Sequence, residues 1–224
     1  MRILVLVAGT NEPSNSNALA DAMITGMKQA SPDAIIDKVR LKDVDIGHFN
    51  LSCYGPNCPL DGMTSVQSLL MQADGVIIAT PVWNFGVPAH LKNFIDRMGA
   101  FALDASHSVG TLNGKPFFLI YTAGAPKSAW PLFRRTLSSV SIAIQYFGGS
   151  VLGTFFEGGC TLGRGVFGLV VDKRPARLDA VKVAGKEFIS TVETFKQTGK
   201  LPFTYRLIKK FVRISQLVKR KLGM

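Results

Sequence analysis

Three short stretches carry the groups from which chemistry can be built. The first is Thr80-Pro81-Val82-Trp83-Asn84-Phe85-Gly86, a polar loop in which two aromatic rings flank a carboxamide. Aromatic faces suit a flat ring system, and a carboxamide can donate to and accept from that ring's edge. The second is Gly9-Thr10-Asn11-Glu12-Pro13-Ser14-Asn15-Ser16-Asn17, crowded with turn residues and with hydroxyl and amide side chains. Ahead of a helix, such a loop is a phosphate cradle: the first helical N–H groups lack intrahelical partners, and the helix dipole favours an anion there. Capping of that helix by Ser14, Ser16 or Asn17 is the simpler use of the same residues. The third is Ala123-Gly124-Ala125-Pro126-Lys127, small enough for backbone to approach a ligand closely, or a plain strand-to-helix connection.

Each stretch follows a short apolar run that reads as a buried strand, and each leads into a helix. Arg2 to Ala8 precedes the hydroxyl-rich loop, and Ala18 to Ala30 follows it with Leu19, Ala22, Met23 and Met27 on one face. Val76 to Ala79 precedes the aromatic loop; Pro88 then suits a first helical turn, and Leu91, Phe94, Ile95 and Met98 form one apolar face. Lys115 to Thr122 precedes the small-residue loop, and a helix is expected over Trp130 to Tyr146. Ala34 to Leu41 and Ser150 to Phe156 complete five strands, Thr64 to Ala73 is a short helix, and a last helix of the fold starts near Ala176. Strands alternating with helices predict a parallel sheet with helices on both faces, and ligands in such sheets bind beyond the carboxyl ends of the strands.

The segment Thr80 to Arg97 resembles the flavin-binding segment of the NADPH-dependent FMN reductase family. The matching residues are Thr80, Pro81, Trp83, Asn84, Pro88, Leu91, Lys92, Asp96 and Arg97, and the resemblance in element order covers roughly the first three quarters of the chain. It implies a flavodoxin-like α/β three-layer sandwich with strand order 2-1-3-4-5. It implies FMN as cofactor, with NADPH or NADH as co-substrate. In the implied cycle nicotinamide passes hydride to the flavin and leaves, and a quinone, a free flavin or a similar small acceptor then takes the electrons. No side chain serves as a nucleophile, because the flavin carries the chemistry. By the same resemblance Thr10, Asn15, Ser16 and Asn17 bind the phosphate. Pro81, Val82, Trp83, Asn84 and Phe85 contact the ring, and Ala123, Gly124 and Ala125 pass beside it. Glu12 stands where many members carry Arg. Members are usually dimers or tetramers, so a homodimer or homotetramer is expected.

Other residues invite weaker readings. His107 is either a ring contact or an exposed loop histidine. Arg164, in the glycine-rich stretch Glu157 to Val171, is a candidate for a phosphate of NADPH, and that stretch either covers the pocket or forms a subunit contact. Cys53, Cys58 and Cys160 are too few for a disulfide framework and too loosely spaced for structural zinc; packed free thiols are the simpler reading and a redox-responsive pair the alternative.

The 224 residues carry 26 Lys and Arg against 15 Asp and Glu, a net charge of +11. Eight of those cations and none of the acids lie in 200–224, so residues 1–199 carry only +3. The expected organisation is a flavin-binding domain over 1–199 and a basic amphipathic helical extension over 200–224. The extension's apolar residues follow a helical spacing too interrupted by charge to span a bilayer. Packing against its own domain or a subunit and contact with an anionic membrane surface are its two leading uses; nucleic acid ranks last, because aliphatics rather than stacking aromatics separate the charges. The first apolar run, Ile3 to Ala8, is too short for a signal peptide, so a cytoplasmic protein is expected, with a peripheral place at the inner face of the membrane open to it. The competing functions are a flavodoxin-like electron carrier, a flavin-binding regulatory module, and a chain of this fold that has lost FMN. A basic charge balance argues against the carrier, which usually meets basic partners.

Overall fold

A computed structural model describes residues 1–55, 58, 60–163 and 166–221. Five parallel strands form one sheet: β1 (Arg2–Val7), β2 (Ile35–Arg40), β3 (Gly75–Pro81), β4 (Pro116–Thr122) and β5 (Ser150–Glu157). Their order is β2-β1-β3-β4-β5, as expected. The central strands are apolar on both sides because helices cover both faces. Within β1, Leu4 and Leu6 enter one core, while Ile3, Val5 and Val7 enter the other.

The first core lies under α2 (Gly62–Gln72), α3 (Ala89–Met98) and the pair α4 (Trp130–Thr136) and α5 (Ser138–Tyr146). The single helix expected over Trp130 to Tyr146 is two. The Thr136, Ser138 and Ser139 hydroxyls donate to the carbonyls of Phe133, Arg135 and Thr136, competing with the helical ladder at the joint. The second core lies under α1 (Asn15–Ala30) and α6 (Pro175–Thr198). These two helices cross in backbone contact. A methyl group on Gly26 would strike the carbonyl of Lys182, and one on Gly185 the carbonyl of Met23.

The last helix, α7 (Phe203–Lys221), lies beyond β5. The Tyr205 hydroxyl donates to Leu152 O at 2.6 Å, Lys209 Nζ to Asn113 O at 2.7 Å and Gln216 Nε2 to Tyr146 O at 2.7 Å. It therefore packs on its own body, next to the amino ends of β4 and β5. No helix among the described residues is long and apolar enough to cross a membrane.

Candidate functional site

The three chemically equipped loops leave the carboxyl ends of β1, β3 and β4, and the sheet brings them together. Backbone bonds fix their spacing: Ala8 N donates to Ala79 O at 2.8 Å, and Val82 N to Thr122 O at 2.7 Å. Between them lies a cleft of about 490 Å³, its open mouth included. The cleft sits where the strand order reverses between β1 and β3, the place where open α/β sheets bind ligands.

One end of the cleft is a cradle of donors. Ser14 caps α1 by accepting from Asn17 N, and its hydroxyl lies 3.0 Å from that of Ser16. Both hydroxyls fold back over Gly9, where any Cβ would collide with them. Among the described residues, the backbone N–H groups of Thr10, Asn11, Asn15 and Ser16 have no protein acceptor. No Asp or Glu among the described residues lines the cleft. Glu12 does not intrude: its carboxylate pairs with Arg40 Nη1 and, at 2.9 Å, with Lys42 Nζ beyond the end of β2. Hydrogen bonds from Lys42 and Arg40 hold its pKa below the ordinary value. A ring of neutral, unpaired donors at a helix N-terminus fits a phosphate group.

The aromatic loop is a tight reversal. Trp83 N donates to Gly86 O and Gly86 N to Trp83 O, both at 2.9 Å. Asn84 (φ 48°) and Phe85 (φ 65°) are left-handed, the conformation a two-residue turn of this hand demands at both central positions. Asn tolerates it; a bulky Phe does so only under strain. The turn leaves Trp83 on the cleft wall, 38% exposed, and swings Phe85, 60% exposed, towards Phe133 with ring centroids 6.0 Å apart.

Of the residues singled out from the sequence, Thr10, Asn15, Ser16, Pro81, Val82, Trp83, Ala123 and Gly124 line the cleft. Asn17, Asn84, Phe85 and Ala125 do not. The Asn17 side chain turns to Asp21 at 3.2 Å, the reversal carries Asn84 and Phe85 away from the wall, and Ala125 O accepts from Gly159 N at 2.7 Å. Asn15 reaches the cleft but spends its side chain elsewhere. Its Oδ1 accepts from Val170 N (2.8 Å) and Val171 N (3.1 Å), and its Nδ2 donates to Gly168 O at 2.7 Å. It clamps the returning end of the glycine-rich loop. Arg174 clamps the outgoing end, donating to Gly158 O and Gly159 O at 2.7 Å while pairing with the buried Glu157 at 2.6 Å.

That loop, expected either to cover the pocket or to form a subunit contact, does reach the cleft: Cys160, Thr161 and Phe167 form one wall, none of them among the residues expected at the site. The sequence signal for it is the stretch's length, its glycines and its apolar end. Burial pushes the Cys160 thiol up to about 11, so it lines the site as an uncharged group. Arg164 lies outside the described residues. His107 is not at the cleft; its ring sits edge-on to Tyr54 with centroids 4.8 Å apart. His90, absent from the residues expected at the site, has Nε2 placed to donate to Ala8 O at 2.9 Å, tying the start of α3 to the donor loop.

The geometry agrees with the comparisons to known proteins. A family model for the flavodoxin-like fold matches residues 1–181. An FMN-dependent NADH:quinone oxidoreductase of Bordetella petrii is 27% identical over 149 residues, covering 58% of this chain and 72% of that protein. One from Nitratidesulfovibrio vulgaris is 26% identical over 153 residues, covering 58% and 73%. A solved NAD(P)H:quinone oxidoreductase from Methanothermobacter marburgensis superposes with a TM-score of 0.65 at 18% identity, covering 84% of this chain and 96% of that one, a likeness that speaks to the fold. With strand order, cleft position and matched span in agreement, the chain belongs to the family of the flavodoxin-like fold.

Proposed function

We propose that this chain is an FMN-dependent NAD(P)H oxidoreductase that passes electrons from a reduced nicotinamide to a quinone or a similar small acceptor. The observation that carries the reading is the convergence of an acid-free donor cradle and a half-exposed indole on one cleft. The names of the two sequence relatives reported above support it, both FMN-dependent NADH:quinone oxidoreductases. When bound, FMN accepts a hydride and releases electrons to the acceptor, which no side chain here does by itself.

The chain's own residues bind and orient. The N–H groups of Thr10, Asn11, Asn15 and Ser16 and the hydroxyls of Ser14 and Ser16 hold the phosphate. Trp83, with Pro81 and Val82, forms the wall for the ring. The Gly124 N–H has no protein acceptor among the described residues and offers a donor to the ring edge, where a preorganised dipole stabilises developing negative charge. Thr161 and Phe167 narrow the opening and exclude water. Phe85, Leu132, Leu162 and Phe167 are all more than half exposed, and Phe167 lines the cleft. Exposed apolar side chains of this kind are what a homo-oligomer would cover.

The test is spectroscopic. Protein mixed with FMN and freed of excess should retain yellow colour, and the colour should bleach on anaerobic addition of NADPH or NADH and return with a quinone. Colour that never bleaches makes the chain a carrier or a binding module; no retained colour at saturating FMN removes the reading.

A further inference from the structure

The helix α7 is turned the unexpected way round. Its side towards the body is mixed rather than apolar: Tyr205, Ile208, Lys209, Val212 and Gln216 face inward, and Gln216 is buried at 5% exposure. Its apolar residues Phe203, Leu207, Phe211, Ile214 and Val218, spaced 4, 4, 3 and 4 apart, form one stripe on the opposite side. All five are close to half exposed or more, and Phe211 reaches 75%. A helix bound to its own domain normally does the reverse. Beside the stripe stand Arg206, Lys210 and Arg213 along one edge, with no acidic residue anywhere in the helix. Among the described residues none of these three forms an ion pair; Arg220 alone in the helix does, with Asp104 at 3.4 Å.

We infer that α7 is a docking surface for an anionic lipid bilayer, inserting its apolar stripe below the headgroups while its basic edge meets their charge. Charge selects this occupant. A second copy laid stripe to stripe would bring two wholly basic helices together with nothing acidic between them, which is repulsive. An anionic bilayer supplies both an apolar layer and negative charge at the right depth for a helix lying in the interface plane. The polar contacts of its inward face give the body a fixed grip on the helix, so the stripe is held out rather than left to fold back.

The geometry fixes what happens to the cleft. The body contacts of α7 are with Asn113, Tyr146 and Leu152, near the amino ends of β4 and β5, whereas the cleft lies at the carboxyl ends. A seven-residue strand is about 20 Å long. The body contacts of α7 therefore lie about one strand length, about 20 Å, from the cleft, at the opposite end of the sheet.

The experiment is co-sedimentation of the full chain with phosphatidylglycerol-containing vesicles and with pure phosphatidylcholine vesicles. Binding is expected on the anionic vesicles, and should fall when salt is raised from 0.1 M to 1 M, where the Debye length drops from about 10 Å to about 3 Å. The double variant Phe211→Ser, Ile214→Ser touches only outward side chains, so the fold stays intact, checked by circular dichroism; its partitioning should be at least about tenfold weaker. No pelleting with anionic vesicles, or equal pelleting with neutral ones, overturns the inference. So does undiminished binding by the variant, which would mean charge attraction without insertion. A wild-type dimer in sedimentation equilibrium that the double variant dissolves would give the stripe to a second copy and overturn it as well. None of these readouts depends on bound flavin.

Discussion

Asn15 shows how one side chain can matter to a site without touching its ligand. The family resemblance makes it a phosphate residue and its backbone N–H stands in the donor cradle, while its carboxamide joins the start of α1 to the far end of the loop that walls the cleft. Replacing it with Ala orphans two N–H groups and a carbonyl. Asn15→Ala should lose about 1–3 kcal/mol in urea denaturation and weaken FMN binding by roughly tenfold or more, the latter read by fluorescence titration. Phe85 presents a different balance. Its left-handed backbone costs about 1–2 kcal/mol, while its pairing with Phe133 returns about 0.5–1.5 kcal/mol. Phe85→Gly removes both and should leave stability within about 1 kcal/mol of wild type. Phe85→Leu keeps the strain and loses the ring pair, so it should be about 1 kcal/mol less stable in the same denaturation assay.

At the scale of elements, α3 has a second task besides following the aromatic loop. Asn93 and Arg97, one turn apart, hold the irregular chain before α2. Asn93 accepts from Phe49 N at 2.8 Å, and Arg97 reaches Gly47 O at 2.8 Å and Asp61 Oδ2 at 2.7 Å. Arg97 is only 3% exposed, so its charge depends on Asp61. Burial raises the Asp61 pKa, but Arg97 and the N–H groups of Met63 and Gly47 outweigh it, and the value lies below the ordinary 3.8. A folded value below the unfolded one means the pair's stabilisation is complete above about pH 3.8 and disappears as pH falls through the lower folded value. Asp61→Asn should cost about 3–5 kcal/mol at neutral pH, because it strands a buried guanidinium, and should flatten that acid limb in melts recorded from pH 2 to 7. Arg97 is part of the sequence motif that resembles a flavin-binding segment, yet its contacts are structural. The motif mixes residues that meet the cleft with residues that brace it, and spacing alone does not separate them.

For the molecule as a whole, the cleft is assembled from four segments far apart in the chain, so a ligand bridging them should stabilise the fold globally. FMN at a hundred times its Kd should raise the unfolding free energy by about 2.7 kcal/mol, seen as a higher melting temperature, while an equal concentration of riboflavin, which lacks the phosphate, should do less. A melting temperature indifferent to FMN would contradict the cleft assignment. The net charge belongs to this scale too: a near-neutral body carries one strongly basic helix on the rim opposite its cleft.

Sequence alone determined the five strands, the parallel sheet and the loops that follow its strands, while the strand order came with the family resemblance of Thr80 to Arg97. Strand and helix periodicity is a local property, and right-handed crossovers between parallel strands leave few ways to arrange it. It also marked Trp83 and the hydroxyl-rich loop, whose residue types are unusual enough to stand out. Tertiary structure decided the rest. It turned Glu12 to Arg40 and Lys42, took Phe85 and Asn17 off the cleft wall, brought Cys160, Thr161 and Phe167 onto it, and set the apolar side of α7 towards solvent. Those outcomes depend on which partner a side chain meets across tens of residues, and a pattern read along the chain holds no information on distances through space.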